Sequence, residues 1–435
     1  MSRYQPYPSY KDSGVEWLRE VPEHWKIGRN KQVFKFVKNL VGENSSEYCL
    51  LSLSKNGIIP RDIESGKGKF PAEFNTYQEV KENDLIFCLF DIDETPRTIG
   101  ISNDVGMITG AYNVARCYSG VDSKFIYYYY LSIDEYKGLK PFYTGLRKVV
   151  RSETFLNIQL GLPSLSEQTA IANFLDIQTA KIDTLIAKQE RMIELLGEKR
   201  SAIIAHAVTK GVDTNVKMKD SGVEWLGEVP EHWAISKFSY LSNVVRGGSP
   251  RPAGDPTLFH GDYSPWVTVA EITKDTNKYL IETETFLTKK GSEQCRIFKA
   301  GTLLLSNSGA TLGVPKILNI DANANDGVVG FENLDTKIAI EFAYFYLFSL
   351  TDNLRDRMNQ GSGQPNLNTD IVKAISIPLP PFNEQNEIIA FLDVQTAKID
   401  TLIAKARQAI ELMKERRTAL ISAAVTGKID VRGNI

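Results

Sequence analysis

The sequence predicts an α+β chain written twice: two mixed, strand-rich heads joined by two long helices that pair as an antiparallel coiled coil, a pseudo-two-fold internal repeat. Three observations predict it. A box of fifteen residues, KDSGVEWLREVPEHW at 11–25, returns as KDSGVEWLGEVPEHW at 219–233 with one difference, Arg19 against Gly227. A second segment, FLDIQTAKIDTLIAK at 174–188, returns as FLDVQTAKIDTLIAK at 391–405. Between box and segment the copies share little beyond an aromatic helix, KFIYYYYLSI (124–133) against EFAYFYLFSL (341–350). A long-period repeat is one structural unit written again. The chain therefore divides into a head (1–161), a long helix (162–213), a second head (214–378) and a second long helix (379–435).

The box comes first in each copy. Val15, Trp17, Leu18 and Trp25 are its packing anchors, and its histidines, His24 and His232, are expected to pack beside Trp25 and Trp233. Strands follow. EYCLLSL (47–53), DLIFCLF (84–90) and AYNVARCY (111–118) fit them in the first head; PWVTVAEI (265–272), GTLLLSN (301–307) and GVVGFEN (327–333) fit them in the second. The aromatic helices have buried spacing and are read as core.

Polar and basic loops lie between these strands. The first head carries Lys55, Arg61, Lys67, Lys69, Arg97, Arg147, Lys148 and Arg151. The second carries Arg246, Arg251, Lys274 and Lys278, with Asn307, Ser308, Thr311, Gln364 and Asn366 in SNSGATLG and GSGQPNLNT. Gly-rich basic loops suit phosphate contact, and Arg, Gln and Asn can pair two-point with base edges. The plainer alternative is a set of ordinary solvated loops.

Each long helix follows a proline, with Ser166 and Asn383 as cap candidates. Steps of four and three then place Ile171, Leu175, Gln178, Ile182, Leu185, Gln189, Met192, Leu196, Lys199 and Ile203 on one seam. The same steps give Ile388, Leu392, Gln395, Ile399, Leu402, Ala406, Ala409, Met413, Arg416 and Leu420 on the other. This is a coiled-coil signature. A helix from Ser166 to Ala207 would run ~60 Å and cannot bury its stripe alone, so the other copy is its expected partner. Gln178 and Gln395 either bond within the seam or mark where it loosens. Gly197 reads as a close-packing point or a mild bend.

Composition narrows the function. The chain has 435 residues, 42% apolar and 24% charged, with a formal charge of −2, so no global basic field announces nucleic acid, although a basic face can be offset elsewhere. Cys49, Cys88, Cys117 and Cys295 are scattered without a C-x-x-C pair and are expected to be buried, reduced thiols. No phosphate-binding GxxxxGK[ST] loop, metal-ligating histidine pair or catalytic triad occurs. In LPPF (379–382), Leu379 stands where an amino-methyltransferase motif needs Asn or Asp. The start of the chain has no apolar core of a signal peptide, and no apolar run approaches the ~20 residues of a spanning helix, so a cytoplasmic protein without membrane contact is expected.

The organisation closely resembles the specificity subunits of type I restriction-modification systems. The carrying features are the SGVEWLxEVPEHW box before each head and the PxxxEQxxIxxFLDxQTAKID helix start after each, with LLLSNSGATLG and GSGQPNLNT in the second head. The first head departs from this pattern, with CLFDIDETPRTIG where LSNSGATLG would stand. The resemblance implies that each head is a target-recognition domain reading one half of a bipartite, asymmetric sequence in double-stranded DNA. It implies that the coiled coil spaces the heads, and that two modification (methyltransferase) subunits dock and restriction (motor-nuclease) subunits can join. The specificity subunit itself would be no enzyme and hold no cofactor, with S-adenosylmethionine bound by the modification subunit.

Two other functions compete with this reading. A self-contained methyltransferase or nuclease would act on DNA unaided. A protein-binding scaffold would lack salt-sensitive DNA binding, which arises because phosphate contacts release counterions.

Overall fold

The computed structural model describes residues 4–62, 73–144, 148–358 and 366–433. Lys67, Lys69, Arg147 and Gln364 lie outside the described residues. Four helices organise the chain: α1 (Ser123–Glu135), α2 (Leu165–Lys210), α3 (Ile340–Ser349) and α4 (Phe382–Val425). The chain forms two compact units, one of 1–190 with 407–435 and one of 191–406. Each unit thus holds one head, the beginning of its own long helix and the last turns of the other.

In the first unit the box folds as a hairpin, Tyr10–Asp12 against Glu20–Pro22. The chain leaving the box, Lys26–Arg29, pairs antiparallel with Gln159–Leu162, the strand that runs into α2. The head is therefore closed at its base by its own two ends. Its central sheet has the order Phe34–Val37, Asn113–Cys117, Leu85–Phe87, Ile99–Ile101, and its apolar face packs on Phe125, Tyr129 and Tyr130 of α1. The second unit repeats the plan. Met218–Asp220 pairs with Glu228–Pro230, and Ala234–Lys237 with Ser376–Leu379. Its five-stranded sheet runs Asn243–Arg246, Val328–Glu332, Leu303–Ser306, Pro315–Leu318, Tyr279–Leu280. The segment expected as one strand at 265–272 divides, the strand ending at Val267 and a short helix, Val269–Thr273, following the Thr268 cap.

The EQ pair at each long-helix start explains the repeated box. Glu167 is buried and accepts hydrogen bonds from Trp25 Nε1 at 3.0 Å and Tyr7 Oη at 2.7 Å, with His24 Nε2 at 2.9 Å. Glu384 repeats this with Trp233 Nε1 at 3.0 Å and His232 Nε2 at 2.8 Å. Gln168 accepts from the N–H of Asp122, the residue before α1, and donates to Pro163 O; Gln385 accepts from the N–H of Ala339, the residue before α3, and donates to Pro380 O. One dipeptide thus ties the long helix to the box through its carboxylate and to the aromatic helix through its amide. A buried carboxylate is tolerated because its acceptors are filled.

The long helices begin one residue before their cap candidates, at Leu165 and Phe382. Ser164 precedes α2, its hydroxyl accepting from Glu167 N at 3.4 Å, while Ser166 and Asn383 lie inside the first turns. In the first unit the start of α2 meets the end of α4: Ile171, Leu175 and Ile182 share a core with Leu420, Ile421 and Ala424. In the second, Ile204, Ala207 and Val208 share a core with Ile388 and Leu392. The ion pairs Asp183–Arg417 (2.9 Å) and Arg200–Asp400 (3.2 Å) are equivalent under the repeat, and both have one residue number falling as the other rises. The segments are antiparallel, as the heptads require.

The seam differs from its prediction at alternate positions. Leu175, Ile182, Leu392, Ile399 and Leu420 are buried, and Leu196, Ile203 and Met413 are half-buried. Leu185 and Leu402, expected in the seam, are 50% and 47% exposed, and Ile186 and Ile403, one residue on, are half-buried in their place. The physical reason is phase. From Leu175 the helix takes the step of four before the step of three, reaching Thr179, Ile182 and Ile186, and both members of each adjacent pair are apolar or neutral, so spacing alone cannot choose. Thr179 and Thr396, not the glutamines, are the buried polar residues at that level, each hydroxyl satisfied by the carbonyl four residues back. Gly197 is not a close-packing point: nothing stands within 4 Å of an added Cβ.

Candidate nucleic-acid interface

Both heads present the same pair of chain segments beyond the central sheet. In the second, the loop 307–314 links the adjacent strands Leu303–Ser306 and Pro315–Leu318 and forms a bridge, Ser308 with Asn366, reinforced by Leu367 N donating to Asn307 O at 2.7 Å. In the first, the loop 88–98 links Leu85–Phe87 to Ile99–Ile101 and forms the bridge Phe90 with Val149, reinforced by Val150 N donating to Leu89 O at 2.7 Å. The two bridges coincide under the repeat. The scaffold is common, while Asn307, Ser308 and Asn366 stand against Leu89, Phe90 and Val149.

In the second head this scaffold gathers several predicted residues. Arg246 ends the edge strand and donates to Asp326 O, and Arg251 places its guanidinium 3.7 Å from the Asp326 carboxylate. Ser249 donates to that carboxylate at 2.8 Å. Gly247 runs so close to the Ala324 and Asn325 carbonyls that a Cβ would fall 2.3–2.5 Å from their oxygens, so glycine is required. The loops carrying Arg246, Arg251, Asn307, Ser308 and Asn366 are therefore held together around residues 324–327, with both arginines exposed. Thr311 lies exposed in the same 307–314 loop. Asp326, which sequence reasoning missed, orders the two arginines; the only signal for it was an Asn-Asp-Gly turn.

The Asn307 side chain is fully buried, and neither its Nδ2 nor its Oδ1 has a hydrogen-bond partner among the described residues. Leaving such a group unpaired costs about 1–3 kcal/mol. The equivalent residue of the first head, Leu89, is buried without that cost.

Other predicted cations sit apart from this cluster. Lys278 pairs with Asp393 of α4 at 2.8 Å and lies 5.2 Å from the Phe345 ring centroid. In the first unit the equivalent carboxylate, Asp176, takes Lys124 at 2.7 Å and the Tyr128 hydroxyl at 2.8 Å. The second copy has Glu341 and Phe345 at those two positions, so Lys278 of a variable loop supplies the cation that α3 lacks. Lys274 pairs with Glu271 at 3.0 Å, and that carboxylate raises its pKa. The same loop is held by buried Lys316, which donates to Asp275 and to Asn277 O. In the first head, Lys148 bonds Glu94 (2.6 Å) and Asp93 (3.2 Å), which raise its pKa, and Arg97 donates to Tyr127 Oη at 3.1 Å. Lys55 is exposed in the turn between Leu51–Ser54 and Gly57–Pro60, Arg61 follows that hairpin, and Arg151 precedes the short helix Ser152–Leu156. The first head thus sets its predicted residues along several segments.

No group of metal-ligating side chains occurs among the described residues, and no helix there is long and apolar enough to cross a membrane. All four cysteines are free; against the expectation that all would be buried, only Cys88 is, while Cys117 and Cys295 are half-buried and Cys49 is exposed, although desolvation still pushes the Cys117 thiol up to about 12.

Two unlike heads on a repeated frame define a recognition protein, and the sequence comparison names its class. The profile of the type I restriction modification DNA specificity domain matches residues 103–195 and 230–412, more than half of the chain, and the chain belongs to that family. Among its relatives, the type I restriction enzyme MjaVIII specificity subunit of Methanocaldococcus jannaschii is 24% identical over 97% of both chains. The EcoKI specificity subunit of Escherichia coli is 26% identical over 47% of this chain and 44% of its own. Two solved structures share the fold. A chain from a study of complex assembly and conformational transition of the type I restriction-modification system has a TM-score of 0.67 at 16% identity, covering 93% of this chain and 98% of that one. The HsdS subunit from Thermoanaerobacter tengcongensis has a TM-score of 0.54 at 15% identity, covering 94% and 98%. The protein is a specificity subunit of a type I restriction-modification system.

Proposed function

We propose that each head of this specificity subunit reads one half of a bipartite, asymmetric DNA target, that the coiled coil sets the spacing, and that the chain catalyses nothing itself. The observation that carries the reading is the common loop pair, closed by equivalent bridges and furnished with unlike side chains. A frame that repeats while its tips differ suits two readings of one duplex. Half-sites read from one face favour a separation of about one helical turn, roughly 34 Å.

Two modification subunits, carrying the S-adenosylmethionine, are the proposed partners on the helices, with restriction subunits joining them in the cytoplasm. Support for a duplicated partner comes from apolar residues exposed at equivalent positions: Ile177 with Val394, Leu185 with Leu402, and Leu195 with Leu412. An exposed stripe repeated in both copies fits one protein bound twice.

The test is binding of the assembled methyltransferase complex to its target at several salt concentrations. R246A and R251A are expected to weaken binding and to flatten the salt dependence by about one unit of log–log slope per lost phosphate contact. An unchanged slope and affinity in both variants would remove the second-head cluster from the interface. The chain alone, given S-adenosylmethionine and DNA, is expected to transfer no methyl group.

A further inference from the structure

In each head the loop between the two central strands is fastened to the end of that head's aromatic helix. In the second head, three successive carbonyls of the 307–314 loop are each taken by a side chain. Ser306 Oγ donates to Thr311 O at 2.9 Å, Arg355 Nε to Leu312 O at 3.0 Å, and Thr351 Oγ1 to Gly313 O at 2.8 Å. Ser306 ends the preceding strand, while Thr351 and Arg355 belong to a short helix, Thr351–Met358, that follows α3. In the first head, Lys137 lies just past α1, and its Nζ donates to two successive carbonyls of the 88–98 loop, Thr95 O at 2.8 Å and Pro96 O at 3.3 Å. The buried Asp134 carboxylate accepts from Thr98 N at 3.0 Å and from Thr98 Oγ1 at 2.7 Å.

The support is shared and its chemistry is not. Asp134 and Thr351 hold one position of the repeat, two residues past Ser132 and Ser349, and one accepts from its loop where the other donates. Lys137 and Arg355 lie one residue apart in that frame, and both end on loop carbonyls. Two unlike heads thus support the same loop by different means. Lys137 has nothing left for a phosphate: an ammonium carries three donors, and Thr95 O, Pro96 O and the Asp134 carboxylate at 2.8 Å take them. Arg355 turns its Nε to the loop and sets its guanidinium 3.7 Å from Asp352 of its own helix. The 307–314 loop needs fastening, because Gly309 and Gly313 take left-handed φ of 79° and 83°, and glycine leaves a chain pliant. A binding constellation must be held to within about 0.5 Å to discriminate.

We propose that Arg355 and Lys137 are positioning residues, each holding one reading loop in the shape that discriminates bases and each setting the fidelity of one half-site. They act on the loop backbone and do not touch the DNA. The inference rests on the reading that each head recognises one half-site, and adds the residues outside the loops that enforce it.

The test compares binding of the assembled methyltransferase complex to its cognate duplex and to duplexes with one base pair changed in either half. R355A is expected to lower the preference for the cognate duplex at least about fivefold for changes in one half, the size of one lost base contact, and to leave the other half as in wild type. K137A is expected to do the same in the opposite half. T351V removes the neighbouring donor without removing a charge; it is expected to act in the same half as R355A and carries the test if R355A does not assemble. R355K, which keeps a donor within reach, is expected to restore most of the discrimination. The slope of log affinity against log salt is expected to stay at its wild-type value throughout. A slope reduced by about one in R355A or K137A would make that residue a phosphate contact and overturn the inference. Unchanged discrimination in both variants, relaxation of the same half by both, or equal relaxation of both halves by either would overturn it as well. A wild-type complex whose target has no two separable halves would instead fault the reading on which the inference rests.

Discussion

Glu167 and Asn307 are both buried polar side chains, and their difference separates frame from reading tip. Glu167 has its oxygens filled by Tyr7, His24 and Trp25 and fixes the box. The Asn307 side chain has no partner among the described residues, at a site where the first head uses Leu89. Unpaired buried polar groups are few in native structures, so each calls for a reason. N307L is therefore expected to stabilise the second unit by about 1–3 kcal/mol in urea unfolding, while the assembled complex loses methylation of its target. Loss of stability with activity intact would make Asn307 a mere core residue. A second residue-scale test concerns the C-terminal turn. Asp430 accepts from Arg432 at 2.6 Å and 2.9 Å, and its N–H donates to Gln5 O at 2.8 Å. The Arg432 hydrogen bonds lower its pKa below the ordinary aspartate value of about 3.9. A depressed carboxyl contributes stability above its unfolded pKa and loses it as pH falls through the folded one. Wild type is thus expected to exceed D430N in stability of the first unit at pH 5–7, with the gap closing as pH drops below about 4; a gap that does not depend on pH would assign the effect to packing.

At the level of elements, the long helices were legible in existence, partner and direction, and misread in phase. Repeats at 174–188 and 391–405 announced the helices, and heptad steps announced the coiled coil. Which flank of the apolar stripe turns inward depends on the facing helix, because Leu185 and Ile186 are equally apolar. I186A and I403A are expected to lower coiled-coil stability by roughly 1–3 kcal/mol, judged by urea unfolding followed at 222 nm, and L185A and L402A by less than about 0.5. The latter pair should instead reduce co-purification of the modification subunit. Reversed magnitudes would restore the seam read from spacing. Strands were legible where β-branched and aromatic runs met turn residues. The anchoring of variable loops was not: nothing in the sequence around Lys278 announced its pairing with Asp393, since the partner lies more than a hundred residues away and its equivalent, Asp176, is served by Lys124. Lys148, Lys274 and Lys278 read as candidate DNA contacts because charge type is visible in a sequence and pairing is not.

For the whole molecule, duplication is the organising fact. The carboxylate that holds the box, the amide that holds the start of the aromatic helix, the interhelical ion pair and the loop bridge each occur twice at equivalent positions. The side chains carried on the bridges do not. A frame that must match itself and tips that need not are what a split, unequal target requires. The most direct measurement is a base-resolution map of adenine methylation in cells that produce this chain with its modification subunit and otherwise lack the modification. The account predicts one motif in two unlike parts separated by a fixed, unspecified spacer. A single continuous motif, or two identical half-sites, would contradict it.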